Sequence, residues 1–306
     1  MDRSADIYTS IASLTRLRHD ATGFSFLPQQ PLQSLLSGRK RSRLRGRGLD
    51  FEELRHYRPG DDIRNMDWRV TNRTGKPHVR VYTEERDRPV VLIVDQRLSM
   101  FFGSQNKMKS VVAAELAALS GWRVLGQNDR VGAILFNDTS HTQIRPSRSE
   151  RSLMSMLSQL DELNHELHIE NASAPQPGQL PAALDIAERM VGHDYLVTII
   201  SDFDGWDARA LASVKRMARH NDLLACLVFD PLEKNISQAA NLVVSDGQYQ
   251  LQLDPKKQAL GERFEASFSS SVASLQRELR KHGMPVLTVN TVEPVFQQLR
   301  AQLGHL

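Results

Sequence analysis

Three runs of β-forming residues each end in an aspartate: VVLIVD at Asp95, LVTIISD at Asp202 and LLACLVFD at Asp230. The carboxyl end of a buried strand is where open α/β folds bind ligands. In a sheet of order 3-2-1-4-5-6 the first and fourth strands are neighbours at the topological switch point, so Asp95 and Asp202 would face one crevice. Taken singly, each aspartate could instead cap the helix that follows its strand. Together with Ser99, the pair offers the oxygen ligands that suit magnesium, which prefers octahedral geometry and keeps several waters. Arg97 shares the loop, however, and a guanidinium about 4 Å from a divalent cation costs on the order of 8 kcal/mol at an effective dielectric of about 20. Either Arg97 points away, or its charge satisfies Asp95 and Asp202 in place of the ion. Replacement is the expectation.

Other chemistry is weakly signalled. The sequence holds no GxxxxGK[ST] phosphate loop, no HExxH and no GxSxG. His165 and His168 are the nearest histidine pair and read as solvent-exposed residues at a helix end. A magnesium-dependent phosphohydrolase using Asp95, Asp202 and Asp230 is one alternative. A haloacid-dehalogenase-like site would want a second acid two residues after Asp95, and Arg97 occupies that place. Nucleic-acid binding through Arg39 to Arg47, where six of nine residues are basic, is another. Without interleaved aromatics, such a run reads better as a solvated segment or half of an ion-pair network.

The elements that must position these residues alternate. HVRVYTEE has the period of a strand and PVVLIV is a buried one. KMKSVVAAELAALSGWRVL is a helix, with Val112, Leu116 and Leu119 on one face. RVGAILF, YLVTII and LLACLVF are strands. SERSLMSMLSQLDEL, capped by Ser149, PAALDIAERMV, with Pro181 at its start, and DARALASVKRMARH are helices. Such alternation predicts an α/β fold with a doubly wound, mostly parallel sheet. Beyond Asp230, NLVVSDGQYQLQLD reads as a hairpin around Asp246-Gly247, followed by a helix over roughly residues 256 to 282 and a last strand and helix. Ile7, Ile11, Leu14 and Leu17 predict a short helix near the amino terminus.

The chain has 306 residues, 40% of them hydrophobic, enough for one large core with additions. Its balance of 39 basic against 36 acidic residues is too even for whole-protein nucleic-acid binding. Cys226, the single cysteine, lies in an apolar run and reads as a buried hydrophobe. No membrane span or secretion signal is recognisable, so a cytoplasmic location is expected.

The stretch from Gly46 to Met100 resembles the bacterial von Willebrand factor A-like proteins catalogued as domain of unknown function 58. The likeness rests on Phe51, Arg55, Tyr57, Pro59-Gly60-Asp61-Asp62, Arg64, Asp67-Trp68 and the following strand pair. It implies a von Willebrand A fold with a metal-ion-dependent adhesion site, Asp-x-Ser-x-Ser plus a later threonine and aspartate, which binds a partner's carboxylate through the metal. Asp95 and Ser99 match the first and last motif positions and Asp202 the later aspartate. Arg97 replaces the first serine, and the loop that should hold the threonine reads QPGQL. The resemblance therefore implies a degenerate site, expected to need no cofactor, with magnesium the cation it would otherwise take. It also implies a non-enzymatic adaptor whose partner is a MoxR-type AAA+ ATPase or its client in chaperone-like maturation, met through Asp95, Arg97, Ser99 and Asp202. Within the signature, Pro59-Gly60 suits a type II turn, and the alternating charges suggest an ion-pair lattice holding the segment to the main domain. The expected organisation is an N-terminal helical segment (1–37), a β/loop region (38–88) and the main domain (89–306) with a hairpin-helix insertion at 241–283.

Overall fold

The computed structural model describes residues 7–21, 49–84, 88–168, 176–234, 242–245, 250–253 and 258–303. The basic run 39–47 lies outside them. Contacts divide the chain into two units, Gly38–Asp87 and the remainder.

The larger unit is built on a six-stranded sheet. Its strands are β3 (Val90–Asp95), β4 (Val131–Phe136), β5 (His141–Ser147), β6 (Leu196–Ser201), β7 (Asp222–Phe229) and β10 (Val286–Asn290), in the order β10-β7-β6-β3-β4-β5. Counted within this sheet, that is 6-5-4-1-2-3, and every pairing is parallel except β4 with β5. This is the doubly wound, mostly parallel order expected from the alternation. The antiparallel edge strand was not foreseen. HTQIRPS has only Ile144 as a strong β-former, and an edge strand with one open face gives a weak pattern.

Every residue of β3, β4 and β6 is buried, because helices cover both faces. Val90, Leu92 and Val94 point into one hydrophobic cluster, and Val91 and Ile93 into the other. The first cluster contains the apolar sides of α1 (Ile11–Arg16), α3 (Lys109–Gly126), α4 (Glu150–His165) and α9 (Val295–Leu303). The second contains those of α5 (Gln179–Met190) and α6 (Ala208–Met217), with Leu279 and its neighbours from α8 (Gln258–Arg280). Pro181 sits in the third position of α5 rather than the first, still within the turn whose N–H groups have no helical acceptor. Cys226 is fully buried, and burial pushes its thiol up to about 12.

The short α1 is docked on the main domain. Leu14 is buried, its carbonyl accepts from Trp122 Nε1 at 3.1 Å, and Thr9 N donates to Asn164 Oδ1 at 2.9 Å. Beyond the four-residue α7 (Pro231–Lys234), β8 (Leu242–Ser245) and β9 (Gln250–Leu253) pair antiparallel as the expected hairpin. The turn at Asp246-Gly247 lies outside the described residues.

In the smaller unit β1 (Leu49–His56) pairs antiparallel with β2 (His78–Glu84). Between them lie a 3-10 turn at Ile63–Asn65 and α2 (Trp68–Thr74), a helix that the expected β/loop region did not include. Asp61 N donates to Arg58 O at 3.0 Å across Pro59-Gly60, with Gly60 at φ +101°, the geometry of the predicted type II turn. Arg55 grips Asp61 with two bonds of 2.8 Å. Asp67 caps α2 through Arg69 N and Val70 N and accepts from Arg80 Nε at 2.8 Å. The Val70 N–H and the Arg80 guanidinium together hold the Asp67 carboxyl below its ordinary value.

Candidate functional site: a charge network at the carboxyl edge of the sheet

Parallel pairing sets Val94 of β3 level with Ile200 of β6. Asp95 is therefore level with Ser201, and Asp202 stands one residue beyond. Ser201 Oγ donates to Asp95 Oδ2 at 2.6 Å. The chain turns sharply after β3, and Arg97 folds back over the strand end. Its backbone N and Nε each donate to Asp95 Oδ1 at 3.0 Å, and Nη2 reaches Asp95 Oδ2 at 2.6 Å. The same Nη2 lies 3.0 Å from Asp204 O and 3.5 Å from Asp202 Oδ1. Phe136 supports the guanidinium from below, its ring centroid 5.6 Å from the central carbon.

A second cation joins the network. Lys109, at the start of α3, donates through Nζ to Asp202 Oδ2 at 3.1 Å and to Glu233 Oε1 at 2.6 Å. Glu233 uses its other oxygen to cap the backbone N of Asp230 at 2.9 Å. Two buried cations thus run between three carboxylates across the ends of β3, β6 and β7. Burial opposes ionisation at Asp95, Arg97, Lys109 and Asp202. At Asp202 it is outweighed by Lys109 and then Arg97, which hold the carboxyl below its ordinary value. The carboxylates in turn outweigh burial at Arg97 and Lys109 and raise both. Burial pushes the Asp95 carboxyl up while Arg97 pulls against it, and the donors on both its oxygens favour the charged form.

Asp95, Arg97 and Asp202 therefore meet in one crevice. Ser99 lies in the same loop, but its buried hydroxyl makes no hydrogen bond. Asp95 is 0% exposed and Arg97 1%, so neither can touch a partner in this conformation. Around the network Asp204 is exposed and Asp202 half-buried, and Phe102, whose carbonyl accepts from Lys109 N at 2.8 Å, is 38% exposed. Asp230 does not join the other two aspartates. Its oxygens accept from Ser104 N and Oγ, Leu232 N and Thr291 Oγ1, binding the loop after β3 to the end of β10. Those donors outweigh burial and lower its carboxyl. The QPGQL loop is fastened by Asp138, whose carboxylate also accepts from Leu98 N.

The residues do not fit magnesium. Both oxygens of Asp95 and both of Asp202 already face a guanidinium or ammonium nitrogen, and no group of three or more metal-ligating His, Cys, Asp or Glu side chains forms among the described residues. A divalent ion would have to displace two internal cations.

Lys109, Ser201, Glu233 and Asp138 were not foreseen. Lys109 had a signal, because it falls at i, i+3, i+7 with Val112 and Leu116 on the apolar stripe of α3. A charge on a core-facing stripe needs a buried partner. Glu233 was also legible, since Asp230-Pro-Leu-Glu233 has the spacing of a capping box.

Among solved structures, the chain is similar to conserved hypothetical protein BatB from Bacteroides thetaiotaomicron, at 13% identity over 64% of this chain and 98% of that one, TM-score 0.35. It is also similar to the SpRpn10 VWA domain, at 11% identity over 71% and 95%, TM-score 0.35. Scores this low leave the fold resting on the strand order itself. Uncharacterized protein Mb1516 of Mycobacterium bovis and uncharacterized protein Rv1480 of Mycobacterium tuberculosis are each 30% identical over 272 residues, covering 86% of this chain and 81% of theirs. The family model described as protein of unknown function DUF58 matches residues 53–274, most of the larger unit together with the signature segment, and the chain belongs to that family.

Proposed function

We propose that this chain is a non-enzymatic protein-interaction module that docks a partner at the carboxyl edge of its sheet without a bridging metal. The reading rests on one observation: the Arg97 guanidinium occupies the space between Asp95 and Asp202 where a cation would bind. A site neutralised from within has no spare ligand positions for metal-mediated capture, and its carboxylates are too well paired to act as nucleophile or base. The network instead fixes the loops that carry Phe102 and Asp204, giving a rigid rim with an apolar anchor. The family resemblance supplies the partner class, a MoxR-type AAA+ ATPase or its client.

Affinity purification of the full chain from its native cell, followed by mass spectrometry, tests both parts. Recovery of an AAA+ protein in equal amount with magnesium and with a chelator is the expected result. If the partner itself needs magnesium-nucleotide to fold, repeating the capture with Phe102→Asp separates the causes, because that change lowers recovery only if the rim is the contact. Recovery lost with the chelator and unaffected by Phe102→Asp would overturn the proposal.

A further inference from the structure

The opposite edge of the sheet carries a different chemistry. A cleft of about 420 Å³ opens there, about 20 Å from Asp95 by the length of a six-residue strand. Its cationic walls come from three elements: Arg130 immediately before β4, Arg145 near the end of β5 and Arg189 in the last turn of α5. Tyr195, just before β6, and the apolar side chains of Ile186 and Met190 complete the lining, and no carboxylate residue contributes to it.

Converging guanidinium groups repel one another unless an anion lies between them. The two acids of α5 are bonded to the neighbouring helix. Asp185 of α5 accepts from Arg209 at 2.5 Å and from Ser213, and Glu188 accepts from Arg216 at 2.5 and 2.6 Å. Both carboxylates of α5 thus bond to α6, and Asp185, one turn before Arg189, also feels that guanidinium's charge. Arg145 and Arg189 make no hydrogen bond or ion pair with the described residues, nor does the Tyr195 hydroxyl. The carboxyl end of α5 adds a partial negative charge of about one half, which the guanidinium groups of Arg145 and Arg189 together exceed.

The geometry points to this cleft as a binding site for a small phosphate monoester. Paired guanidinium forks match a dianion with three terminal oxygens better than the single charge of a carboxylate. Ile186 and Met190 offer a surface for the organic body, and the volume is at the lower end of the roughly 300–1,000 Å³ of small-molecule pockets. The site is independent of the docking edge.

Isothermal titration calorimetry of the full chain at low salt tests this with phenyl phosphate, inorganic phosphate and phenol as separate probes. Saturable one-to-one binding of phenyl phosphate is expected, weaker binding of inorganic phosphate and none of phenol. Arg145→Ala and Arg189→Ala should each weaken phenyl phosphate at least tenfold. Arg151→Ala, on the exposed surface of α4, should leave it unchanged. Arg145 and Arg189 are exposed, so the variants keep their fold, which circular dichroism verifies, and Arg145→Lys should fall between wild type and Arg145→Ala. The inference is overturned if neither phosphate binds saturably, if phenol binds as well as phenyl phosphate, or if Arg151→Ala weakens binding as much as the cleft variants do.

Discussion

Arg97 is among the largest fully buried side chains in the molecule, and its charge is tolerable only because Asp95 lies within hydrogen-bond reach on two nitrogens. Removing one member of such a pair leaves the other charge buried and uncompensated, which costs about 3–5 kcal/mol. Arg97→Met should therefore lower stability by that amount in urea denaturation. Replacing both members with apolar residues of similar size removes the burden as well as the bond, so Asp95→Leu combined with Arg97→Met should lose far less than the sum of the single changes. Additive losses would mean that the pair does not act as a unit. Acid pH probes the same network and its neighbour. Asp202 and Asp230 both have lowered carboxyls in the folded state, so they contribute stability above their unfolded values and lose it as pH falls through the folded ones. Stability should begin to decline below about pH 5. Asp230→Asn should flatten that decline while lowering stability at neutral pH by about 1–3 kcal/mol, because its amide meets hydroxyl and N–H donors with one acceptor fewer. A decline of unchanged steepness in the variant would remove Asp230 from the acid response.

At the scale of elements, the parallel strands were legible because both faces are covered. Strands such as VVLIVD and LVTIISD read as continuous apolar runs with an acid at the end, and their order placed Asp95 beside Asp202. Elements with one wet side left weaker traces. The β5 strand carries an arginine and a proline, and α2 lies within a segment whose charges mask any apolar period. What joins β5 to the sheet is instead written in a glycine. A Cβ at Gly132 would stand 2.5 Å from Ile144 O and 2.6 Å from Pro146 N, at the irregularity in the β4–β5 register. Both contacts are backbone atoms and cannot swing aside. Gly132→Ala should therefore cost about 1–3 kcal/mol, read as a lowered melting temperature. An unshifted melting curve would mean that the edge strand can move away freely. The same limit explains the site. Residues on strand tips were visible from the order of strands, whereas Lys109 and Glu233 reach it from helix starts, and their meeting depends on how two βα turns fold rather than on any local pattern.

For the molecule as a whole, the two edges of one sheet present opposite electrostatic solutions. The carboxyl edge closes its charges internally, while the amino edge leaves guanidinium groups facing a cleft. A metal that bound the folded state would raise its stability by about 2.7 kcal/mol at a hundred times the dissociation constant, enough to move the melting temperature by several degrees in a chain of this size. Thermal unfolding of the wild type should thus be the same in 10 mM magnesium, a concentration of about 100 dissociation constants for a 0.1 mM site, as in a chelator. Arg97→Ser changes the balance, because it restores a serine where the adhesion motif has one and releases the oxygens of Asp95 from the guanidinium, leaving them the Ser201 hydroxyl and a backbone N–H. Part of the stability lost in that variant should be recovered by magnesium, although Lys109 remains on Asp202 and limits the gain. Removing Lys109 as well, in Arg97→Ser with Lys109→Met, should enlarge the recovery. Stabilisation of the wild type by magnesium would show that the ion can displace Arg97, and the docking edge would then have to be understood as a metal site held shut rather than as one replaced by a guanidinium.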